Sequence, residues 1–346
     1  MPDAPLLEID DLKVSFRTED GIVRAVDGLS LTLAKGEVLG IVGESGSGKS
    51  VTMMSVMRLI VDPNARFEGE VRYKGRDLMK LSQDQMRDVR GSEIAMIFQD
   101  PMTSLNPVYT IGWQIAEQIH AHESLSKAAA RSRVVELLRA VGIPNPVERL
   151  DDYPHQFSGG MRQRVMIAMG LSCNPDLLIA DEPTTALDVT IQAQILELVG
   201  RLRQDFDSAI VLITHDMGVV ANVADRVIVM YAGRVIEQGT TSQVFSDPQH
   251  PYTWGLLGSI PRLDRPRARR LMAIPGQPPS MLALPDGCHF RPRCPYALDR
   301  CAEQDPRLAD RIGGGGHLDA CLLDADQKRQ QRAAAIRPEP AGEEPA

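Results

Sequence analysis

The amino-acid sequence predicts an α/β fold with a largely parallel sheet over residues 1–245. Three short apolar runs, at residues 38–42, 177–180 and 209–214, have the continuous hydrophobic character of strands that are buried on both faces. A helical pattern with its apolar residues on one face covers residues 128–141. Strands that alternate with helices in this way are typical of a parallel sheet with helices on its faces.

Further segments have the character of strands or helices and extend this pattern. The additional predicted strands are residues 6–16, 67–73, 93–98, 226–231 and 234–237. The additional predicted helices are residues 49–60 and 161–172. Ala232 and Gly233 separate the last two strands, so a hairpin is expected there.

Composition and charge narrow the class of protein. The chain has 346 residues, of which 43% are hydrophobic and 24% are charged, and this apolar fraction excludes a chain that is disordered throughout. The formal net charge of −8 argues against nucleic acid as a partner. No apolar run reaches the roughly 18 residues of a membrane span, and the N-terminus lacks the pattern of a signal peptide. The sequence therefore predicts a cytosolic protein.

A glycine-rich turn after the first buried strand fits the phosphate-binding P-loop pattern. The residues expected to surround the phosphates of ATP are Gly43, Ser45, Gly46, Gly48, Lys49 and Ser50. Because the glycines carry no side chain, backbone N–H groups can turn towards phosphate oxygens, and the following helix adds its positive end. Lys49 is expected to neutralise the β- and γ-phosphates, and the Ser50 hydroxyl is expected to bind Mg²⁺.

Two acids follow the buried strand at residues 177–180. Asp181 is placed to hold Mg²⁺ through water, and Glu182 is placed to polarise an attacking water. Paired acids after a strand are otherwise a helix N-cap and its neighbour. The P-loop earlier in the chain favours the nucleotide site.

A second glycine-rich helix N-terminus lies about 110 residues after the P-loop. Ser158, Gly159 and Gly160 open the predicted helix at residues 161–172 and can bind phosphate there. Alone, this pattern indicates an ordinary N-cap serine with flexible glycines. The residues that accompany it and favour a nucleotide site are, in chain order, Gln99, Glu182, Asp188 and His215.

Over residues 6–245 these motifs resemble the ATP-binding-cassette (ABC) ATPases. The resemblance implies a P-loop NTPase cassette with a mostly parallel sheet, a helical subdomain at about residues 100–172 and a small antiparallel subdomain. It also implies ATP hydrolysis that requires ATP and Mg²⁺. In this family the Ser-Gly-Gly signature of one subunit closes over the γ-phosphate held by the P-loop of another.

The resemblance assigns further roles residue by residue. Phe16 matches the aromatic residue that stacks on adenine, although a core strand residue remains the alternative. Gln99 matches the glutamine that contacts Mg²⁺ and reports to the membrane subunits, and His215 matches the histidine that contacts the γ-phosphate. Asp188 matches the loop that crosses the dimer interface. Met161 departs from the glutamine that often ends the signature. The predicted catalytic residues are Glu182, His215 and Gln99.

The amino-acid composition changes near Phe245, and the residues that follow are rich in Pro, Arg, Cys and Gly. Residues 246–324 are therefore predicted to form a small Cys-rich C-terminal domain, and residues 325–346 a disordered tail. An arginine-rich stretch at residues 262–270 is either a solvated linker or a contact with an acidic partner or membrane surface.

Four of the five cysteines lie in this C-terminal part, at Cys288, Cys294, Cys301 and Cys321. Four thiolates can bind Zn²⁺ or anchor an iron–sulfur cluster, and their spacing leaves both possible. His289 or His317 in place of one thiolate would favour zinc. The remaining alternative is four free thiols.

The tail, together with the sequences around Gln99 and Asp181, resembles the ATPase subunits of dipeptide and oligopeptide importers. This resemblance implies a [4Fe-4S] cluster on the four cysteines. It also implies a second ABC ATPase subunit in a heterodimer, two integral membrane permease subunits and an extracytoplasmic substrate-binding protein. The chain would then lie at the cytoplasmic face of the inner membrane. The alternatives are an importer of another cargo, such as a nickel chelate or a sugar, an exporter, and a soluble ABC ATPase without a transport role.

Overall fold

The structure, a computed structural model, describes residues 4–100, 104–184, 189–206, 208–260, 274–311, 313 and 315–336. Its strands are β1 Leu7–Thr18, β2 Gly21–Leu33, β3 Val38–Val42, β4 Ala65–Tyr73, β5 Arg76–Asp77, β6 Ile94–Ile97, β7 Leu177–Asp181, β8 Ala209–Thr214, β9 Arg226–Tyr231, β10 Arg234–Thr240 and β11 Leu318–Asp319. Its α-helices are α1 Lys49–Val56, α2 Gln83–Val89, α3 Ile111–His122, α4 Lys127–Ala140, α5 Pro146–Arg149, α6 Gly159–Gly170, α7 Val189–Phe206, α8 Met217–Val223, α9 Thr241–Ser246, α10 Pro251–Gly258 and α11 Ala325–Ile336.

The main sheet has the strand order β11-β10-β9-β3-β8-β7-β6. Strands β9, β3, β8, β7 and β6 run parallel, and β10 and β11 are antiparallel additions at one edge. Every residue of β3, β7 and β8 is buried, as expected for strands covered by helices on both faces. The predicted α/β class is therefore confirmed, with a sheet that is mixed at its edge.

A second, antiparallel sheet has the order β2-β1-β4-β5 and packs against the main sheet. Leu7 and Val71 from this sheet share one hydrophobic core with Ile41 and Ile179 from the main sheet. The sequence analysis did not predict β2. Its apolar residues alternate clearly only in its second half, after an Asp-Gly pair that is more typical of a turn.

The helices between β6 and β7 form a layer beside the sheet. Helices α3, α4 and α6 contribute buried residues such as Ile115, Val134 and Val165 to one cluster. Helix α1 ends at Val56 rather than at residue 60, because the backbone of Arg58 is left-handed, with a φ of 49°. None of the helices in the described ranges is both long and apolar enough to cross a membrane.

The C-terminal segment, which comprises residues 247–336, is built onto the edge of the main sheet. Its strand β11 pairs with β10. Its residues Tyr252 and Phe290 pack edge to face and share a cluster with Val42 and Tyr231 of the sheet. A smaller cluster within the segment consists of Trp254, Cys321, Leu323 and Ala335. The segment therefore extends the core of the α/β unit.

The prediction that residues 325–346 form a disordered tail is wrong for residues 325–336, which form helix α11. Asp324 and Gln327 cap its N-terminus with reciprocal hydrogen bonds of 2.8 and 3.0 Å. Lys328 pairs with the buried Asp319, and Ala335 packs in the cluster around Trp254. The contacts with Asp319 and Trp254 are tertiary, so the sequence of the helix does not reveal them. Its polar composition alone therefore indicated disorder.

Lys328→Ala is expected to destabilise the protein strongly, because it removes the cation that contacts Asp319 Oδ2 and leaves only Arg311, 3.8 Å from Oδ1. The Lys328 ammonium lies 2.7 Å from Asp319 Oδ2, and the two side chains are 2% and 0% exposed. Removing one partner of a buried ion pair typically costs about 3–5 kcal/mol. Urea unfolding followed by circular dichroism measures this loss.

Arg329→Ala, one residue further along α11, is the control. The Arg329 side chain is 72% exposed and pairs with Asp326 at the surface, so its removal should cost less than about 1 kcal/mol. Equal free energies of unfolding for the two variants would contradict the docking of α11.

Candidate functional site

The loop between β3 and α1 requires glycine at two positions. Gly43 and Gly48 have φ angles of 153° and 99°. A Cβ atom at Gly43 would lie 2.2 Å from the carbonyl oxygen of Met230, and one at Gly48 would lie 2.3 Å from that of Ala25. The loop therefore fits between β2 and β9 only because both positions lack a side chain.

The ammonium group of Lys49 lies inside this loop. It donates hydrogen bonds to the carbonyl oxygens of Gly43 at 2.8 Å and Glu44 at 2.9 Å. Burial lowers the pKa of Lys49, while the carboxylates of Glu182 and Asp181 act in the opposite direction. The loop thus holds a buried cation at the point where the sequence predicts phosphate binding.

Ser50 and Asp181 meet at the carboxyl edge of the main sheet. The Ser50 hydroxyl donates a hydrogen bond of 2.8 Å to Asp181 Oδ1. Burial raises the pKa of Asp181, and the bond from Ser50 and the charge of Lys49 oppose that rise. A hydroxyl and a carboxylate are the oxygen ligands that Mg²⁺ uses beside nucleotide phosphates. The pair therefore fits a magnesium ion.

Glu182 directly follows β7 and has a strained backbone. Its φ of 46° lies in the left-handed region, which costs a residue other than glycine about 1–3 kcal/mol. Its Oε2 accepts a hydrogen bond of 3.0 Å from Gln99 Nε2, and its Oε1 lies 3.4 Å from His215 Nδ1. The Glu182 side chain is only 14% exposed. The structure thus brings the three predicted catalytic residues together around one carboxylate.

One open cavity of about 760 Å³ contains these groups, and its size is typical of ligand sites. Its lining from the predicted site consists of Gly43, Ser45, Gly46, Gly48, Lys49, Ser50, Gln99, Glu182 and His215. Glu44 lines it as well, and the C-terminal segment adds Leu256, Ser259 and Ile274. The sequence analysis missed these last three, since no local pattern relates them to a P-loop more than 200 residues earlier.

Phe16 lies apart from this cavity lining. It is half-buried in β1 and packs against the hydrophobic core, which is the alternative that its sequence pattern left open. Asp188 and the arginine-rich stretch at residues 262–270 lie outside the described residues.

The Ser-Gly-Gly signature also lies apart from the Lys49 cavity. Ser158 caps helix α6 by accepting a hydrogen bond of 3.3 Å from the N–H of Met161. Ser158 and Gly159 are exposed, and Gly160 is half-buried. Within one chain, therefore, the signature does not line the cavity that contains its own P-loop.

Four thiols line a small enclosed cavity in the C-terminal segment; they belong to Cys288, Cys294, Cys301 and Cys321. All four are free cysteines. Burial raises the pKa of Cys294 and of Cys321 to about 12 and also raises the pKa of Cys288. Across the described ranges, no group of three or more His, Cys, Asp or Glu residues is placed to hold a metal ion.

The two histidines that the sequence offered as alternative ligands have other partners. His289 Nδ1 lies 3.3 Å from the carbonyl oxygen of Ala232. His317 Nε2 lies 2.8 Å from Glu237 Oε1, with both side chains buried. Neither histidine lines the cavity of the four thiols. His250 does line it, and its Nδ1 accepts a hydrogen bond of 3.1 Å from the N–H of Tyr252. The cavity therefore offers four thiols and one imidazole.

Two family models match this sequence. Residues 26–185 match the model described as "ABC transporter". Residues 236–301 match the model described as "Oligopeptide/dipeptide transporter, C-terminal region".

Similar proteins and structures agree with these matches. The oligopeptide transport ATP-binding protein OppD of Bacillus subtilis is 54% identical over 333 residues, which cover 96% of this chain and 93% of that protein. The dipeptide transport ATP-binding protein DppD of Escherichia coli is 52% identical over 303 residues, which cover 88% of this chain and 92% of that protein. A solved dimeric structure of the ATP-binding cassette MJ0796, in a post-hydrolysis state with ADP and Pi, has a TM-score of 0.61 and 27% identity, and covers 68% of this chain and 98% of that one.

The fold and the nucleotide cavity are those of an ABC cassette, and the chain belongs to the ABC transporter family of ATP-hydrolysing proteins. Within that family, the chain is clearly similar to the ATP-binding proteins of peptide transporters, because its C-terminal segment matches theirs.

Lys49→Ala is expected to weaken ATP binding, because the cation that faces the phosphates is lost. Hydrogen bonds to charged groups contribute about 1.5–3 kcal/mol, so the dissociation constant should rise by about 10- to 150-fold. Calorimetric titration with ATP measures it. Lys80→Ala, at a side chain that is 77% exposed, is the control that should bind normally. Equal affinities for the two variants would contradict the site.

Proposed function

We propose that this chain is the ATP-hydrolysing subunit of an importer that couples ATP binding and hydrolysis to the uptake of dipeptides or oligopeptides across the cytoplasmic membrane. The observation that carries this proposal is the combination of a P-loop cavity with a C-terminal segment that matches peptide transporters. The similar proteins OppD and DppD are named for oligopeptide and dipeptide transport.

The phosphates of ATP would replace the loop carbonyls that Lys49 contacts in this structure. Ser50 and Asp181 would hold Mg²⁺, with Gln99 as a further oxygen ligand, and the ion would neutralise charge on the phosphates. Phe16 remains the proposed contact for adenine on its match to the stacking aromatic residue of ABC ATPases, and its ring is half-buried, so one part of it is open to a ligand.

Glu182 is the proposed general base for the attacking water. Gln99 and His215 each contact one of its carboxylate oxygens, so they orient the group that takes the proton. His215, which is 60% exposed, can turn from Glu182 towards the γ-phosphate of a bound nucleotide.

A second ABC ATPase subunit would complete each nucleotide site. The signature residues Ser158, Gly159 and Gly160 lie at the N-terminus of α6, which carries the positive end of the helix dipole. Because they are absent from the lining of their own P-loop cavity, they are available to the cavity of a partner. We propose a heterodimer, in which each subunit contributes a signature to the other.

The permease subunits would dock beside Gln99. An apolar cavity of about 390 Å³ lies there, and its lining includes Met57, Met96, Phe98, Met166 and Met169. Phe98 is 42% exposed and directly precedes Gln99. Flexible methionines adapt to the shape of an inserted partner. One permease docked at this surface of each ATPase subunit would hold the chain at the cytoplasmic face of the membrane and link it to an extracytoplasmic substrate-binding protein.

Two alternatives differ in cargo or in context. An importer of nickel chelates or sugars would use the same ATPase site. A soluble ABC protein that acts on ribosomes or DNA would lack a use for a segment that matches peptide transporters. The match to the peptide-transporter region and the peptide cargo of the similar proteins OppD and DppD favour the peptide proposal over both alternatives.

Glu182→Gln is expected to retain ATP binding while hydrolysis falls by about 10²–10⁴-fold, because the amide preserves shape but accepts no proton. Peptide uptake by cells that carry only this variant should stop. The measurements are phosphate release by the purified complex and uptake of a labelled peptide.

If the Glu182→Gln variant hydrolyses ATP at close to the wild-type rate, Glu182 is not the general base. Normal peptide uptake by cells without any active copy of the chain would contradict the peptide cargo. Co-purification with ribosomes or DNA, in place of membrane proteins and a substrate-binding protein, would support the soluble alternative.

We further propose that the four thiols hold a [4Fe-4S] cluster that stabilises the C-terminal segment. The donor set fits, since four cysteine thiolates around one cavity are the ligands of such clusters. One zinc ion held by the same four thiolates is the alternative that the sequence left open.

Protein purified without oxygen is expected to contain about four iron and four sulfide per chain, as this type of cluster requires. Cys294→Ser should lose most of both, because one ligand is missing. Cys173→Ser, at a cysteine outside the cavity, should retain both. One zinc per chain, or metal-free protein with an ordered segment, would contradict the cluster.

A further inference from the structure

The second residue of the P-loop, Glu44, has hydrogen-bonding partners on all of its polar groups. Its carbonyl oxygen accepts a hydrogen bond from the Lys49 ammonium at 2.9 Å. Its backbone N–H donates to the hydroxyl of Tyr252 at 2.8 Å. Its carboxylate accepts two hydrogen bonds from Arg293, at 2.6 Å from Nη1 and 3.0 Å from Nη2. Both Tyr252 and Arg293 belong to the C-terminal segment.

Arg293 is itself held firmly. Its side chain is 4% exposed, and its Nε donates to the carbonyl oxygen of Pro275 at 2.8 Å. Its guanidinium lies over the ring of Tyr231, 5.8 Å from the centroid. A two-pronged contact between a guanidinium and a carboxylate fixes direction as well as distance. The position of Glu44 is therefore determined from outside the loop.

Both contacts come from well-anchored elements. Tyr252 lies on α10 and is fully buried, with its ring 4.7 Å from that of Tyr231. Arg293 ends a single 3₁₀ turn, Arg291–Arg293, which lies between Cys288 and Cys294. The sequence analysis gave neither residue a role.

We infer that the C-terminal segment sets the affinity of this chain's own P-loop for nucleotide, with Arg293 and Tyr252 as positioning residues that act through Glu44. Neither residue lines the nucleotide cavity, so their effect passes through the loop. Glu44 carries one of the two carbonyl oxygens that hold Lys49, so its position determines where that cation stands before nucleotide enters. A loop held in its binding conformation loses less conformational entropy when it binds.

The test measures ATP affinity in the full-length chain. Arg293→Ala and Tyr252→Phe should each raise the dissociation constant, by about tenfold for Arg293→Ala, which corresponds to about 1.4 kcal/mol. Arg293→Lys should restore only part of the affinity, because an ammonium makes a single contact where the guanidinium makes two. Arg307→Ala, at a side chain of the same segment that is 84% exposed, should bind ATP normally.

A double-mutant cycle separates positioning from a general loss of stability. If Arg293 acts through Glu44, Glu44→Gln combined with Arg293→Ala should weaken binding no more than the stronger single change. Additive effects, or an unchanged dissociation constant in folded Arg293→Ala protein, would overturn the inference. If Arg293→Ala does not fold, Tyr252→Phe serves as the test, because it removes one hydroxyl and keeps the buried ring. An unchanged dissociation constant in Tyr252→Phe would also overturn the inference.

Discussion

The nucleotide site depends on one constraint, which is that the carboxyl ends of β3, β8 and β7 meet at the same edge of the sheet. The register sets Val42 beside Thr214 and Asp181 beside Ile213. The loops after these strands therefore emerge side by side. As a result, Ser50 and Asp181 form a hydrogen bond although they are 131 residues apart in sequence. A sheet with another strand order would separate the P-loop from its acids.

Local chemistry explains what the sequence predicts well and what it does not. The P-loop can be predicted from the sequence because its glycines lie close to Lys49 in the chain. The structure shows that close backbone contacts require these glycines. The acids after β7 can be predicted from the sequence because they directly follow a continuous apolar run. The contact between Glu44 and Arg293 spans 249 residues, and no local pattern encodes a contact of that range. Helix α11 was missed for the same reason, since its stability comes from its docking.

The C-terminal segment is joined to the sheet by a buried carboxylate. Glu237 on β10 is fully buried and accepts hydrogen bonds from the N–H groups of Gln249 and His250, at 2.6 and 2.9 Å. Its Oε1 also lies 2.8 Å from Nε2 of His317, near the far end of the segment. A buried carboxylate is tolerated only when its oxygens are satisfied in this way. Glu237 therefore ties both ends of the segment to the sheet that carries the P-loop.

The same architecture bears on what the cysteines control. Burial raises the pKa of Cys294 and of Cys321 to about 12, so these two thiols favour their neutral form unless a bound metal stabilises the thiolates. Neutral thiols give the surrounding turns little beyond packing. The turn between Cys288 and Cys294 carries Arg293, so the cation that orders the thiols would also fix the guanidinium that holds Glu44. In this arrangement, a change at the cysteines would reach the P-loop through the ion pair between Arg293 and Glu44, beside the separate hydrogen bond from the Glu44 N–H to Tyr252. The segment is thus joined to the nucleotide site at two points of one residue.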